Sequence, residues 1–176
     1  MNLYDKNIFT IIGLITIKFS RLESLSLDYI SILLSGHPSV ENRMIFQEFT
    51  FEKKIQTLEK LIPLKHHGQF ERTQFDLISR LKGLKETRNL LVHGYWDIIS
   101  LEDVDNIETL SVKQFKYKIK RPNNGIVEKT WETGNYKQFN KTKLIDFYNQ
   151  TGTALQDLII VMTENERILG TPQIYP

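Results

Sequence analysis

The sequence predicts a mainly α-helical protein, a four-helix bundle with a basic β-hairpin inserted at about residues 110–133, between the third and last long helices. Two observations carry this prediction. Apolar residues recur every three or four positions in four segments, and the period changes to two between residues 115 and 120. The chain has 176 residues, 40% of them hydrophobic and 25% charged, which suits one core. We therefore expect residues 1–176 to form a single domain.

The first two helices are predicted from their apolar spacing and their end signals. The first runs from about Ile8 to Leu33 and ends near Gly36 and Pro38. The second is expected to begin after Thr50, whose hydroxyl can cap a helix, and to end before Pro63, which has no backbone N–H. Residues 39–49 show no clear pattern.

The third helix is predicted from Gln69 to His93, with Gly94 ending it in the left-handed conformation. One charged side chain, Arg88, interrupts its apolar stripe. A guanidinium on an apolar face must meet a carboxylate, a carbonyl or a bound anion, because leaving it unpaired costs several kcal/mol. Glu23 and Glu86 are candidate carboxylates. The stripe comprises Leu77, Leu81, Leu84, Arg88, Leu91 and Tyr95.

The hairpin and the last helix follow. Apolar and lysine residues alternate from Phe115 to Lys120, which is typical of a half-buried strand. Residues 122–125 read as a turn, and residues 126–133 as the return strand. Beyond Asn140, a plausible cap, apolar residues again step by three and four to Met162, which predicts the last long helix.

Positive charge is concentrated around this hairpin. The segment from Lys113 to Lys143 holds nine basic and two acidic residues, a net charge of +7, against +2 for the whole chain. Such a segment suits a polyanion such as RNA, and its interleaved aromatic residues suit stacking on unpaired bases. Lysines on an edge strand also prevent aggregation, and we give that reading equal weight. The candidate RNA-binding residues are Lys113, Lys116, Lys118, Lys120, Arg121 and Lys129.

The composition also argues against several classes of protein. There is no cysteine, so disulfides and thiolate metal sites are excluded, and a cytoplasmic location is expected. The apolar run from Ile8 to Ile17 is too short to span a membrane, and we expect no membrane association. His66 and His67 are adjacent and lack the spacing of a helical metal pair. We expect neither a metal site nor a cofactor.

The segment Arg88-Asn89-Leu90-Leu91-Val92-His93 resembles the R-x4-H motif of the HEPN superfamily. The resemblance implies a helical bundle with the motif near the end of its third core helix, and a homodimer formed through that helix. Many members are metal-independent ribonucleases. With Tyr95 the motif is similar to the R-x4-H-x-Y form of HepT-type toxins, whose tyrosine can be adenylylated by a partner nucleotidyltransferase.

The resemblance implies a function and a set of site residues. We expect an endoribonuclease, a toxin or an antiviral or stress effector, restrained by a partner such as a nucleotidyltransferase antitoxin. Arg88, His93 and Asn89 are the expected catalytic residues. In a dimer the two His93 side chains would act as base and acid while Arg88 holds the phosphate, leaving 2′,3′-cyclic phosphate and 5′-hydroxyl ends.

Each assignment has an alternative. The protein can be a catalytically inactive HEPN dimer that binds RNA, a nucleotide or a protein, or a plain oligomerisation module. Asn89 can serve only a helix-terminal hydrogen bond, an alternative that we weigh equally. For Tyr95 we favour a ring that seals the core over a modification site, and we expect Trp96 to be a core residue.

Overall fold

The computed structural model describes residues 2–66, 68–97, 107, 109–120 and 128–170. A short 3-10 turn, Leu3–Asp5, precedes the first helix. The fold is mainly helical with a small antiparallel sheet, as predicted. Its elements are α1 (Ile8–Ser35), α2 (Val40–Phe46), α3 (Phe51–Lys65), α4 (Gln69–His93), β1 (Tyr95–Asp97), β2 (Thr109–Lys120), β3 (Glu128–Asn140) and α5 (Lys141–Leu169).

The four long helices pack as a bundle in which α4 is antiparallel to the other three. Lys18 near the start of α1 donates to the carbonyl of Tyr148, and Gly36 at the end of α1 lies beside Leu169, so α1 and α5 are parallel. Lys82 pairs with Glu59, and the later Lys85 pairs with the earlier Glu52, so α3 and α4 form an antiparallel hairpin. Helix α2 lies beside α1 and leads the chain from the end of α1 back to the start of α3.

The apolar stripes of these helices form one continuous core. Its largest fully buried side chains come mainly from α1, including Tyr29 and Phe19, with further leucines and isoleucines from α3, α4 and α5. Burial of one such aliphatic side chain stabilises the fold by about 1.5–3 kcal/mol. The hydroxyl of Tyr29 donates to Gln74 inside the core, and burial raises the pKa of Tyr29 far above its usual value.

Three helix ends follow the predicted capping chemistry. The Thr50 hydroxyl accepts from the N–H of Lys53 at 3.3 Å, and the Asn140 side chain accepts from the N–H of Lys143 at 2.9 Å. Gly36 ends α1 in the left-handed conformation, with φ of 79°. These caps satisfy backbone groups that a helix end would otherwise leave unpaired.

Two boundaries differ from the prediction. Helix α3 continues through Pro63 to Lys65, because a proline in the last turn loses only one helical hydrogen bond while Ile62 is buried in the core. The segment without a clear pattern contains α2, whose N-cap is Ser39; its hydroxyl accepts from the N–H of Asn42 at 3.1 Å.

The sheet is longer than the predicted hairpin and has three strands in the order β1-β2-β3. The β2–β3 ladder runs from Thr109 opposite Asn140 to Lys120 opposite Glu128, with an irregularity between Lys113 and Phe115. Leu110, Val112 and Phe139 are buried against the bundle, which extends the paired region. The predicted turn at 122–125 and the first two positions of the return strand lie outside the described residues.

Gly94 does not adopt the predicted left-handed conformation. Its φ of −76° and ψ of 155° are extended, and the chain passes directly from α4 into β1. The glycine is required for a different reason, since a Cβ there would overlap the Val112 side chain and the carbonyl oxygen of Leu90. The junction between helix and sheet therefore depends on a close approach of β2 to the end of α4.

Among the helices within the described ranges, none is both long enough and apolar enough to cross a bilayer.

Candidate functional site

The site lies at the end of α4, where the helix meets the sheet. The apolar members of the predicted stripe are buried from Leu77 to Leu91, and Arg88 is half-buried among them. Tyr95 is 61% exposed, so the prediction that its ring seals the core is wrong. The helical period stops at His93, and in the following strand successive side chains point to opposite faces.

Trp96 takes the inward position that we assigned to Tyr95. Its indole N–H donates to the carbonyl of Leu91 at 2.9 Å, and its ring packs against Phe9 with centroids 5.5 Å apart. The ring is partly buried against the core, and its N–H satisfies one of the carbonyls left free at the helix end. Trp96 therefore holds the end of α4 against the start of α1.

Arg88 is oriented by three neighbours. Its guanidinium carbon lies 5.6 Å from the centroid of the Phe19 ring, within cation–π range. Its Nη1 donates to Asn89 Oδ1 at 3.2 Å and lies 3.3 Å from His93 Nε2. Within the described part of the chain, no carboxylate pairs with Arg88, so neither Glu23 nor Glu86 is its partner.

The contact between Arg88 and His93 depends on the tautomer of the imidazole. A guanidinium nitrogen can only donate, so this contact is a hydrogen bond when Nε2 of His93 accepts. In the neutral ring that accepts it, the hydrogen lies on Nδ1. A proton acceptor and a cationic donor thus lie side by side at the end of α4.

A further polar atom of Arg88 is buried. Its Nε is shielded from solvent and has no hydrogen-bond partner among the described residues. The guanidinium therefore packs on the ring of Phe19 and uses Nη1 for its hydrogen bonds. Among the described residues, Nη2 has no acceptor and can bind another one. An anion such as a phosphate supplies the acceptors that a guanidinium recognises.

The site is open to solvent because α3 begins beside Lys85 and does not extend over Arg88 and His93. Lys85, one turn before Arg88, pairs with Glu52 in the first turn of α3. Since α3 and α4 are antiparallel, Arg88 and His93 lie beyond the start of α3. His93 is exposed, and Val92 beside it is 38% exposed, so the imidazole can be reached from solvent.

The candidate RNA-binding residues belong to the sheet that starts beside this site. Lys113 pairs in register with Tyr95, two residues after His93. Along β2, Lys116 is opposite Glu132, Lys118 is opposite Thr130 and Lys120 is opposite Glu128. Lys129 is opposite Ile119, and Arg121 lies outside the described residues. The register thus sets acidic residues against two of the lysines.

Of the two adjacent histidines at the end of α3, His66 has a structural role. His66 is buried, and its Nε2 lies 2.5 Å from Oδ1 of Asn165 on α5. His67 lies outside the described residues. Among residues that the structure describes, no three histidine, aspartate or glutamate side chains cluster as a metal site would require.

The sequence patterns did not indicate that Phe19 belongs to the site. Phe19 lies 69 positions before Arg88, and its place in the α1 stripe signalled only a core residue. Its ring supports the guanidinium and makes a T-shaped contact with the ring of Phe51, with centroids 5.0 Å apart and planes at 75°.

Comparison with known proteins identifies no relative. The chain matches no protein-family model, no curated protein sequence and no solved structure. The expected relation to the HEPN superfamily therefore rests on the sequence motif from Arg88 to His93.

Proposed function

We propose that the protein is a metal-independent endoribonuclease of HEPN type that acts as a homodimer. The observation that carries the proposal is the pairing of Arg88 Nη1 with His93 Nε2 at 3.3 Å on an open surface, with no carboxylate among the described residues to neutralise the cation. A toxin or an antiviral or stress effector is the cellular role that fits such an activity.

The proposed reaction is a transesterification within RNA. When Arg88 binds the phosphate, its Nη1 leaves Nε2 of His93. Nε2 of His93 in one protomer then takes the proton of a 2′-hydroxyl, and the resulting oxygen attacks the adjacent phosphorus. The bond from phosphorus to the 5′-oxygen breaks, and the protonated His93 of the second protomer gives its proton to that leaving oxygen. The products are a 2′,3′-cyclic phosphate and a 5′-hydroxyl.

Arg88 is the group that stabilises the phosphate. Two of its N–H donors can bind the non-bridging oxygens, whose negative charge grows in the transition state. Phe19 holds the guanidinium from behind, so less conformational freedom is lost when the phosphate arrives. Asn89 accepts from Nη1 at 3.2 Å and thereby orients the guanidinium, which is the role we assign to it.

The proposed partners fit the surroundings of the site. The exposed Val92 and Tyr95 beside the motif suit a dimer formed through the end of α4. The exposed Tyr95 also suits modification by a nucleotidyltransferase antitoxin. The basic hairpin begins next to His93, and RNA that enters the site would pass along it, with the hairpin lysines from Lys113 onward as its proposed contacts.

The test compares RNA cleavage by wild type, His93→Ala and His37→Ala in EDTA. His37 is exposed, lies beyond the far end of α1 and serves as a matched histidine control. Loss of a general base typically lowers the rate by about 10²–10⁴-fold. We expect that loss for His93→Ala and none for His37→Ala. Equal rates in wild type and His93→Ala would refute the proposal.

A second candidate is a binding module that does not turn RNA over. The same hydrogen bond favours it, because Arg88 occupies the lone pair of His93 that would take the proton. For such a module, His93→Ala would bind RNA as wild type does, and neither protein would release fragments in EDTA.

A further inference from the structure

Helix α2 directs three of its four apolar residues toward solvent. Val40, Met44 and Ile45 are 69%, 66% and 64% exposed, and none of the seven residues of α2 is buried. A surface helix ordinarily turns its apolar stripe toward the core. Scattered apolar residues on a surface need no explanation, but three on one short helix form a patch that does.

Polar contacts and the partly buried Phe46, rather than the three exposed apolar residues, hold α2 in place. Arg43 makes a bidentate ion pair with Asp28 on α1, with Nε–Oδ1 and Nη2–Oδ2 distances of 2.5 and 2.6 Å. The Asn42 amide donates to the hydroxyls of Ser31 and Ser35 at 3.2 and 3.1 Å. These contacts fix the inner side of α2, so its position does not depend on Val40, Met44 or Ile45.

The outward side of α2 also carries negative charge. Glu41 and, just beyond the helix, Glu48 are exposed, and no ion pair joins either one to another described residue. The one basic residue of α2, Arg43, is already neutralised by Asp28. We call this combined apolar and acidic surface the α2 face; it comprises Val40, Glu41, Met44, Ile45 and Glu48.

We propose that the α2 face is the docking site of an amphipathic helix of a partner protein that carries lysine or arginine beside its apolar stripe. The aliphatic stems of such residues would pack on Met44 and Ile45 while their charged ends reach Glu41 and Glu48. Met44 adds an adaptable contact. This inference is independent of RNA cleavage.

Charge selects this occupant over two others. Two copies of the chain meeting through the α2 face about a two-fold axis would bring Glu41 and Glu48 of one copy toward those of the other. An anionic membrane surface would be repelled by the same carboxylates. A basic amphipathic helix complements both the apolar and the acidic parts of the face.

The test measures peptide binding by fluorescence anisotropy. The probes are an amphipathic helix of leucine and lysine and its counterpart of leucine and glutamate. The variants are Met44→Ser combined with Ile45→Ser, and Glu41→Lys combined with Glu48→Lys. Leu64→Ser on α3 is the matched control, since Leu64 is 74% exposed and lies outside the α2 face. Circular dichroism verifies that each variant is folded.

We expect wild type to prefer the lysine peptide. The serine double variant should bind it about tenfold more weakly, the scale of removing a central interface side chain. Leu64→Ser should bind as wild type does, and the lysine double variant should prefer the glutamate peptide. Absence of binding, absence of charge preference, or an equal loss in Leu64→Ser would overturn the proposal.

Two further results would replace the occupant. Sedimentation of the protein alone would reveal self-association that the serine double variant abolishes, which would assign the face to a second copy. Flotation with vesicles of phosphatidylcholine and phosphatidylserine, abolished by the same variant, would assign it to a lipid surface. Either result would contradict docking of a basic helix.

Discussion

Substituting Gly94 by alanine tests the junction that carries the site. The added Cβ would overlap a methyl group of Val112 on β2 and the carbonyl oxygen of Leu90. That carbonyl accepts the N–H of Gly94 itself at 2.9 Å, so relief of the overlap must lengthen the last hydrogen bond of α4 or move β2 away.

The expected cost follows from these two effects. Overpacking a well-packed contact costs about 1–3 kcal/mol, and loss of a backbone hydrogen bond adds about 1 kcal/mol. We therefore expect Gly94→Ala to lower the free energy of unfolding by about 3 kcal/mol. Gly83→Ala is the control, because Gly83 is exposed within α4 and, apart from the backbone of its own helix, no described atom lies within 4 Å of its added Cβ.

Urea denaturation followed by circular dichroism measures both variants. Gly83→Ala should stabilise the protein by up to about 1 kcal/mol, since alanine favours the helix more than glycine does. The two identical substitutions should thus have opposite signs. A Gly94→Ala protein as stable as wild type would refute the close approach of β2 to the end of α4.

Three other predictions concern single side chains. Burial lowers the pKa of Lys54, so the unfolded chain binds the Lys54 proton more tightly than the folded chain does. The free energy of unfolding of wild type should therefore rise with pH between the lowered pKa and about 10.4. Lys54→Met should be more stable than wild type below that pH range and should lack this rise. Asp28→Asn should cost about 1–2 kcal/mol in urea denaturation and speed amide exchange in α2, because it weakens a bidentate pair; unchanged exchange would contradict that role. Nitrogen-15 NMR of the neutral His93 ring should find its hydrogen on Nδ1, because Nε2 accepts from Arg88. Arg88→Ala should raise the fraction of the tautomer that carries its hydrogen on Nε2. A wild-type ring with its hydrogen on Nε2 would contradict the observed contact.

The long helices could be predicted because their apolar stripes extend over many turns. α1 and α5 are 28 and 29 residues long, and their apolar stripes extend over most of that length. α2 could not be predicted in this way, since it has seven residues and Phe46 is its one apolar residue packed against the core, beside polar contacts such as that of Asn42. Only Ser39, its N-cap, marked its start.

The site was predictable along α4 and not across the bundle. Asn89 and His93 are four positions apart, so helical geometry makes them neighbours, and the long Arg88 side chain reaches His93 five positions on. The support from Phe19 depends on how α1 packs against α4, which no local pattern reports. Tyr95 was misassigned because the helical period was continued past Gly94, whereas the chain had already entered a strand that turns Trp96 inward.

The most direct test of the account is the chemistry of the RNA ends. Purified wild-type protein would be incubated with RNA in EDTA, and the fragment ends would be analysed. The proposed roles of His93 and Arg88 predict 2′,3′-cyclic phosphate and 5′-hydroxyl ends, because the 2′-hydroxyl is the nucleophile. RNA left intact by a folded dimer, or fragments with 3′-hydroxyl and 5′-phosphate ends, would contradict the account.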